Sequence, residues 1–282
     1  MASPHLCLAA LGLVLPVASP VAGMSAPNPP DSAAIDYLRW PAGQTYGRAE
    51  AARDWPTLRW FDEPGDAHIR EFPAGSGRHW LEIGFPADTF GGGRHGCKFA
   101  ADLAPRDGYT VDYEVHFPTD WEFSRNNAGD HGGGKLPGLS GGSHPSGGHG
   151  RPDGMSARPM WRRDDRFSPG RVQNYLELYL YWRGQTETYG DRTFAQIVEP
   201  GRTYRLTLRI ELGTPETDGT VRLWIDGALR VERSVRFLGP GQSWKLSQYM
   251  HNVFYGGNDP TWAPAHDQHL LLGPVRVDTQ PF

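Results

Sequence analysis

The sequence predicts an all-β protein built from antiparallel strands in two packed sheets. Two observations carry this prediction. The chain of 282 residues contains 36 glycines and 25 prolines, and 12% of its residues are aromatic, which is typical of short strands joined by turns. In addition, apolar and polar residues alternate with a period of two in several segments, and no segment shows a long helical period.

Residues 1–23 are typical of a cleavable signal peptide. The apolar run LCLAALGLVLPVASPVAG ends in small residues, although only His5 and the terminal amine precede it as basic groups. A membrane anchor is the less favoured alternative, because Pro16 and Pro20 interrupt a run that is already short for a span. The sequence therefore predicts a secreted protein, extracellular or periplasmic, with no membrane partner.

The rest of the chain is expected to form one domain. The proline-rich residues 24–35 predict a flexible leader, and no later linker separates two domains, so residues 36–282 form a single β domain. The formal net charge of −4 gives no steering toward nucleic acid. Because Cys7 leaves with the signal peptide, Cys97 lacks an intramolecular partner; buried filler is favoured over a catalytic thiol.

Several segments show the strand pattern clearly. In YTVDYEVHF and TYRLTLRIEL, every second residue is apolar, so each strand has one core face and one polar face. The apolar sets are Tyr109, Val111, Tyr113, Val115 and Phe117, and Tyr204, Leu206, Leu208, Ile210 and Leu212. The segment VRLWIDG ends in Asp226-Gly227, a hairpin signal, and ALRVERSVRF is expected to return as the next strand.

The segment YLELYLYW, residues 175–182, has an unusual polar face. Three leucines and a tryptophan form its core face, whereas the opposite face carries Tyr175, Glu177, Tyr179 and Tyr181. Tyrosines suit a pleated strand without any function, and this is the simpler interpretation. A row of phenols also suits a carbohydrate cleft, since flat rings pack on sugars and hydroxyls transfer protons.

A second strand, MSARPMWRR at residues 155–163, lies between this segment and a lysine-containing loop. One of its faces carries Ser156, Arg158, Met160 and Arg162. Arg158 is the candidate for function, because it shares a face with a serine; a solvated surface charge is the alternative for its neighbours. Pro159 cannot donate to a sheet ladder, so we expect an edge or a bulge here.

The glycine-rich stretch GGGKLPGLSGG, residues 132–142, contains Lys135. Together with Gly129 it approaches the spacing of a phosphate-binding loop, which needs a hydroxyl residue after the lysine and a helix behind it. Here Leu136 follows, and Pro137 argues against a helix. The sequence therefore disfavours a nucleotide site, and Lys135 needs another partner.

Three histidines, His131, His144 and His149, occur near this lysine in the sequence. Their spacing matches no zinc signature, so solvated loop histidines are favoured over a metal site or a role in neutralising a carboxylate. No EF-hand pattern occurs, although loop aspartates leave room for a structural calcium ion. We expect no required cofactor and no catalytic metal.

Several motifs in order resemble polysaccharide lyase family 14, the alginate and glucuronan lyases. They are GGGKLPGLSGG, DGMSARPMWRR, YLYWRGQTETYGD, DGTVRLWIDG and FYGGNDPTWAPAHD, which span roughly residues 75–282. The resemblance implies a β-jelly roll with a cleft on one sheet. It also implies β-elimination of a uronate-containing polysaccharide, so the partner is an acidic polysaccharide. The chain is expected to act as a monomer.

The resemblance carries over residue by residue. Lys135 matches the lysine of the Lys-Leu-Pro-Gly-Leu run, Ser156 and Arg158 match a Ser-x-Arg pair, and Tyr179 and Tyr181 match a Tyr-x-Tyr pair. We expect Arg158 to neutralise the uronate carboxylate, Lys135 and Tyr181 to exchange protons, Tyr179 to bind sugar or donate to O4, and Ser156 to donate a hydrogen bond. The residues expected to bind the sugar chain are Glu177, Tyr175, His149, Gln185 and Tyr189.

Two other functions remain open at this point. A non-catalytic carbohydrate-binding jelly roll would keep the aromatic residues without needing the lysine. A glycoside hydrolase needs two carboxylates across the bond, and the tyrosine strand offers only Glu177. The sequence leaves open whether lysine or tyrosine is the base, which uronate is cleaved, and whether cleavage is internal or terminal.

Overall fold

A computed structural model describes residues 27–62, 66–91, 95–125, 132–148 and 153–282. The signal peptide predicted over residues 1–23 and the first part of the leader lie outside this range. The described chain forms sixteen strands, a seven-residue helix and one short 3-10 turn. In these described ranges, no helix has the length and apolar character needed to cross a membrane.

The elements follow the chain in this order. They are β1 (Ala33–Ile35), α1 (Arg48–Asp54), β2 (Leu58–Asp62), β3 (Ala67–Glu71), β4 (His79–Phe85), β5 (Cys97–Arg106), β6 (Gly108–Phe117), β7 (Gly133–Lys135), β8 (Gly138–Gly142), β9 (Gly154–Asp164), β10 (Gln173–Tyr181), β11 (Asp191–Ile197), β12 (Arg202–Glu211), β13 (Gly219–Ile225), β14 (Ala228–Val235), β15 (Leu246–Tyr255), the 3-10 turn Pro260–Trp262 and β16 (Gln268–Asp278).

The strands form two antiparallel sheets, which confirms the predicted all-β sandwich with the β-jelly-roll architecture. We call them the back sheet and the front sheet. The back sheet has the order β14-β13-β12-β6-β16-β4-β3, with β1 beside β16. The front sheet has the order β11-β10-β9-β7-β15-β5-β2, with β8 between β15 and β9. Every pairing between these strands is antiparallel.

The core lies between the inner faces of the two sheets and is built from the alternating residues that the sequence predicts. The apolar faces of β6 and β12 are fully buried, as are the leucines of β10. Cys97 is buried and free, which fits the role of apolar filler. The predicted hairpin also forms, because Asp226 and Gly227 both adopt the positive φ angles that its tight turn requires.

Two predictions need correction. The leader ends earlier than residue 35, because Ala33–Ile35 pair with β16 and close one edge of the back sheet. The edge or bulge expected at Pro159 is also absent from β9, a central strand of the front sheet with an unbroken register to β10. The strand beside β9 is interrupted instead, because it is divided into β7 and β8. Pro159 faces the gap between β7 and β8, where its carbonyl accepts from the Leu136 N–H at 3.1 Å.

Candidate active site

The front sheet brings the predicted catalytic residues onto its outer face in three adjacent rows. Lys135 on β7 pairs in register with Met160 on β9. The next row joins Arg158 to Tyr179, and the third joins Ser156 to Tyr181. Since side chains two apart on a strand share a face, these groups all point away from the core.

A pocket of about 400 Å³ lies over these rows. Its walls come from β7, β9, β10 and β11 and from the loops after β8, β9, β10 and β15. The lining residues are Lys135, Gly147, Met160, Arg162, Arg166, Tyr179, Tyr181, Glu187, Tyr189, Gly190, Arg192, Gly257, Asn258, Asp259 and Trp262. The predicted cleft on one sheet is therefore present.

A larger hollow of about 580 Å³ lies on the back sheet and contains none of the predicted catalytic residues. The two arginines that line it already form ion pairs with carboxylates of the protein. Arg205 pairs with Asp112 at 2.9 Å, and Arg209 pairs with Glu211 at 3.2 Å. The chemistry therefore points to the front-sheet pocket.

Lys135 is half-buried as a residue, and its amine is enclosed near two arginines and an aromatic ring. Its Nζ lies 4.6 Å from the centroid of Phe254. Burial lowers the pKa of Lys135 to about 7, and the positive charges of Arg158 and Arg162 act in the same direction. A large fraction of this amine is therefore neutral near neutral pH, so it can accept a proton.

Arg158 is a buried cation with unused donors. Its Nη2 donates to the Ser146 Oγ at 3.0 Å. Its Nε and Nη1 are buried and have no hydrogen-bond partner in the described structure. Since a buried guanidinium normally satisfies its donors, this arrangement is suited to receive an incoming carboxylate.

The two phenols form a connected pair. The hydroxyls of Tyr179 and Tyr181 lie 3.1 Å apart, and the rings meet edge to face. The Gly190 N–H donates to the Tyr179 hydroxyl at 3.2 Å, and the Gly148 N–H lies 3.4 Å from that of Tyr181. Burial is the main cause that raises the pKa of Tyr179, and negative charge on Tyr181 raises it further. Tyr179 therefore remains protonated and can donate a hydrogen bond to Tyr181.

Ser156 has a different position from the one expected. It is 1% exposed, and its Oγ donates to the Pro145 carbonyl at 2.6 Å. Ser156 therefore holds the loop after β8 over the sheet and does not line the pocket. Its predicted role as a direct sugar contact is replaced by a structural one.

Two of the predicted sugar-binding residues also lie beneath the pocket. Glu177 is fully buried, with its carboxylate 2.8 Å from Arg192 and 3.6 Å from Arg162. The Tyr175 hydroxyl donates to Asp164, which also accepts from Arg192. Burial alone would raise the pKa of Asp164, but the Tyr175 hydrogen bond and the two arginines outweigh it and lower that pKa. The network supports the pocket floor and does not reach a sugar.

The remaining predicted contacts have mixed outcomes. Tyr189 lines the pocket and is 51% exposed, so it is available to a ligand. Gln185 instead braces its own loop, since its Nε2 donates to the Glu187 carbonyl at 2.9 Å. His149 and His131 lie outside the described residues. His144 lies beside Ser140, and its Nδ1 is 3.0 Å from the Ser140 hydroxyl oxygen.

Trp262 is the main pocket residue that sequence reasoning missed. The Arg162 guanidinium lies 4.5 Å from the centroid of its ring. Gly257 has a positive φ, and a Cβ there would fall 2.1 Å from the indole, so only glycine lets the ring pack against this backbone. The motif FYGGNDPTW contains these residues, but alternation along a strand gives no signal for a loop.

No metal centre is found among the residues that the structure describes. Within them, no three side chains of histidine, cysteine, aspartate or glutamate come close enough to hold an ion. The carboxylates near the pocket are instead held by arginines. The possible structural calcium ion therefore remains a prediction without a candidate site in this range.

Comparisons with known proteins identify the family. The model for polysaccharide lyase 14 matches residues 73–273, whereas no curated protein matches the sequence. A double mutant of alginate lyase Aly36B bound to an alginate trisaccharide superposes with a TM-score of 0.75 at 20% identity, covering 89% of this chain and 99% of that one. An alginate lyase from Aplysia kurodai gives 0.61 at 20% identity, with 86% and 98% covered.

The endo-β-1,4-glucuronan lyase from the fungus Trichoderma reesei gives a TM-score of 0.50 at 17% identity, covering 80% of this chain and 91% of that one. At these identities the solved structures show a shared fold. The family model carries the assignment, since its match covers well over half of the sequence and contains every residue of the pocket. The chain therefore belongs to polysaccharide lyase family 14.

Proposed function

We propose that this lyase acts on a polyuronate of the alginate or glucuronan type and that Lys135, Arg158 and Tyr181 perform the elimination. The reaction removes the C5 proton of a uronate and expels the glycosidic oxygen at C4. The C5 proton is a weak acid while the neighbouring carboxylate is charged. The reaction therefore needs a cation, a base and an acid. Lys135 and Tyr181 line the pocket, and Arg158, which is 1% exposed and not part of the lining, shares their face of the sheet.

Arg158 is the cation in this scheme. Its Nε and Nη1 donors are unpartnered, and hydrogen bonds from a charged guanidinium to a carboxylate are strong. Binding would draw negative charge from the carboxylate and make the C5 proton more acidic. The Ser146 hydroxyl, which accepts from the third nitrogen, holds the guanidinium in place.

Lys135 is the base in this scheme, and its lowered pKa of about 7 is the observation that carries the proposal. The neutral amine takes the C5 proton, and the electron pair of that bond forms the C4–C5 double bond. The C4–O bond breaks, and the Tyr181 hydroxyl gives its proton to the leaving oxygen. Tyr179 donates to the resulting phenolate, and the Lys135 ammonium returns the proton through solvent.

The substrate class follows from the charge of the pocket and from its relatives. Lys135 lines the pocket, and Arg158 on the same face has two unused donors, which suits a chain that carries carboxylates. The three arginines of the lining already pair with carboxylates of the protein. The solved relatives include an alginate lyase bound to alginate and a glucuronan lyase. We propose secretion on the basis of the N-terminal apolar run. We also propose that the chain acts as a monomer.

The test is elimination on a panel of polyuronates: alginate blocks, glucuronan and oxidised cellulose. Ultraviolet absorbance follows the conjugated double bond that only elimination creates. Wild type should produce it, and Lys135→Ala and Tyr181→Phe should lose at least about 100-fold in turnover, as is typical for removal of a proton-transfer group. Lys245→Ala is the matched control, since Lys245 pairs with Asp107 outside the pocket.

The result also separates elimination from carbohydrate binding without catalysis. Retained polysaccharide binding by wild type, with no absorbance change on any substrate, would contradict catalysis and favour a carbohydrate-binding protein. Loss of activity in Lys245→Ala equal to that in Lys135→Ala would show that a general charge effect, and not the pocket amine, explains the result.

A further inference from the structure

The outer face of β10 is unusually well covered. Its four side chains point away from the core, yet Tyr175, Glu177 and Tyr181 are at most 1% exposed and Tyr179 is 8% exposed. On an open cleft floor these residues would contact solvent. Part of the chain must therefore lie over this strand.

The loop after β10, residues 183–190, covers the Tyr179 and Tyr181 end of this face through Gly190, and we call it the strap. Phe167 of the β9–β10 loop packs on Tyr175 at the other end. The strap begins at the end of β10 marked by Tyr181, where that strand pairs with Ser156. Its Glu187 nevertheless pairs with Arg166, which follows β9 at the opposite end of β10. The strap and the β9–β10 loop therefore extend toward each other from opposite ends of β10 and meet over the sheet.

Hydrogen bonds give the strap a defined shape. The Gln185 amide donates to the Glu187 carbonyl at 2.9 Å, and the Thr186 N–H donates to Asp191 at 3.2 Å. The Gly190 N–H binds Tyr179 at 3.2 Å and joins the strap to the catalytic phenols. The Arg166–Glu187 pair is half-exposed, so it secures the tip of a loop that is already braced.

We propose that the strap closes the pocket on the β11 side, so that the enzyme engages its polysaccharide at a chain end. The Arg166–Glu187 contact determines this specificity, because it joins the strap to the β9–β10 turn and completes that wall. On the opposite side, Lys135 and Phe254 remain partly exposed, so the chain can leave across β15. This inference rests on the proposed function, since it concerns the position of the same substrate.

The first experiment measures product length at early times. Wild type should release short oligosaccharides from the start while viscosity falls slowly. In Glu187→Gln, and more strongly when residues 185–189 are replaced by two glycines, the share of long early products should rise several-fold. Asp218→Asn is the matched control, because it breaks an ion pair of similar exposure with Arg236 outside the pocket. A broad ladder of early products from wild type would overturn the proposal, as would unchanged products in the shortened strap.

The second experiment measures binding and needs neither turnover nor a foldable strap variant. Oligouronates carrying a bulky fluorophore at one end or the other are titrated into Lys135→Ala protein. A closed pocket should weaken binding of one labelled form at least about tenfold relative to the other. Equal affinity for both forms would overturn end binding. If wild type neither eliminates nor binds any polyuronate, the proposed function itself fails, and end binding fails with it.

Discussion

At the scale of single residues, the surroundings of Lys135 explain how an ordinary amine becomes a base. Both charged groups that act on its pKa, Arg158 and Arg162, are cations, and burial adds to their effect. Arg158 in turn is held by Ser146 with two donors unused. The same positive charge that depresses the lysine pKa is therefore available to bind the substrate carboxylate.

The pH dependence of turnover should report this amine. With a pKa of about 7, Lys135 is mostly protonated at pH 6 and mostly neutral at pH 8. We expect kcat to rise about tenfold per pH unit below pH 7 and to level off above it. Steady-state kinetics between pH 5 and 9 measures this. Tyr181→Phe should keep the rising limb at lower rates, and a wild-type rate that is flat from pH 5 to 7 would contradict the role of Lys135.

Stability should also rise with pH, but over a higher pH range than activity. Below pH 7 the folded protein carries a charge on the enclosed Lys135 amine, which lowers its stability. Between pH 7 and 10.5, the ordinary pKa of a lysine, only the unfolded chain binds this proton. Lys135→Met should therefore raise the free energy of unfolding by at least about 1 kcal/mol at pH 6, given 1.36 kcal/mol per pKa unit. Denaturant unfolding measures this.

The stabilisation of Lys135→Met should shrink as pH rises from about 7 towards 10.5, because the wild-type amine becomes neutral in the folded state. Lys245→Met, on the surface, should show no such trend. A destabilised Lys135→Met variant at pH 6 would show that packing, and not charge, dominates at this position.

At the scale of elements, β9 and β10 show what strand alternation can and cannot predict. The period of two correctly placed Arg158, Tyr179 and Tyr181 on one face. It also placed Glu177 and Tyr175 there, but it carries no information about what covers that face. Arg162 and Arg192 cover Glu177, and Phe167 and Phe194 pack on Tyr175, so both residues support the pocket from below. Contacts between elements that are distant in sequence have no local signal.

The buried network beneath β10 should be sensitive to the loss of one charge. Glu177 is fully buried between Arg162 and Arg192, so Glu177→Gln leaves two buried guanidiniums with Asp164 as their remaining carboxylate. We expect a loss of about 3–5 kcal/mol in the free energy of unfolding. Urea denaturation measures this loss.

Glu232→Gln is the control for this prediction. Its ion pair with Arg222 is 3.0 Å long but exposed, so its loss should cost less than about 1 kcal/mol. Equal effects of the two substitutions would show that burial of the Glu177 network adds nothing to its strength.

At the scale of the whole molecule, the two-sheet sandwich was predictable because its strands alternate strictly. The faces of β6 and β12 and the Asp226-Gly227 hairpin follow from the sequence alone. The order of strands in each sheet does not, since β6 pairs with both β12 and β16, which lie far away in the chain. The same long-range pairing places β15 inside the front sheet, where its histidine, His251, enters the core.

His251 should make the fold sensitive to acid. Its ring stacks on Phe99 at 4.3 Å, its Nδ1 meets the Tyr249 hydroxyl at 2.9 Å, and its Nε2 is buried without a partner in the described structure. Burial lowers its pKa from 6.5 to about 3. Between these values the unfolded chain binds a proton that the folded chain does not, so the free energy of unfolding should fall as pH falls, by up to about 1.4 kcal/mol per unit.

A histidine variant separates this contribution from that of other acid-sensitive groups. His251→Gln removes the titrating group, so its free energy of unfolding should depend less steeply on pH between 6.5 and about 3. His269→Gln is the control, because the His269 side chain is half-exposed. Thermal and urea unfolding of the three proteins across this range measures the slopes. If the free energy of unfolding depends on pH equally steeply in wild type and His251→Gln, protonation of His251 does not cause the loss of stability in acid, and other groups must cause it.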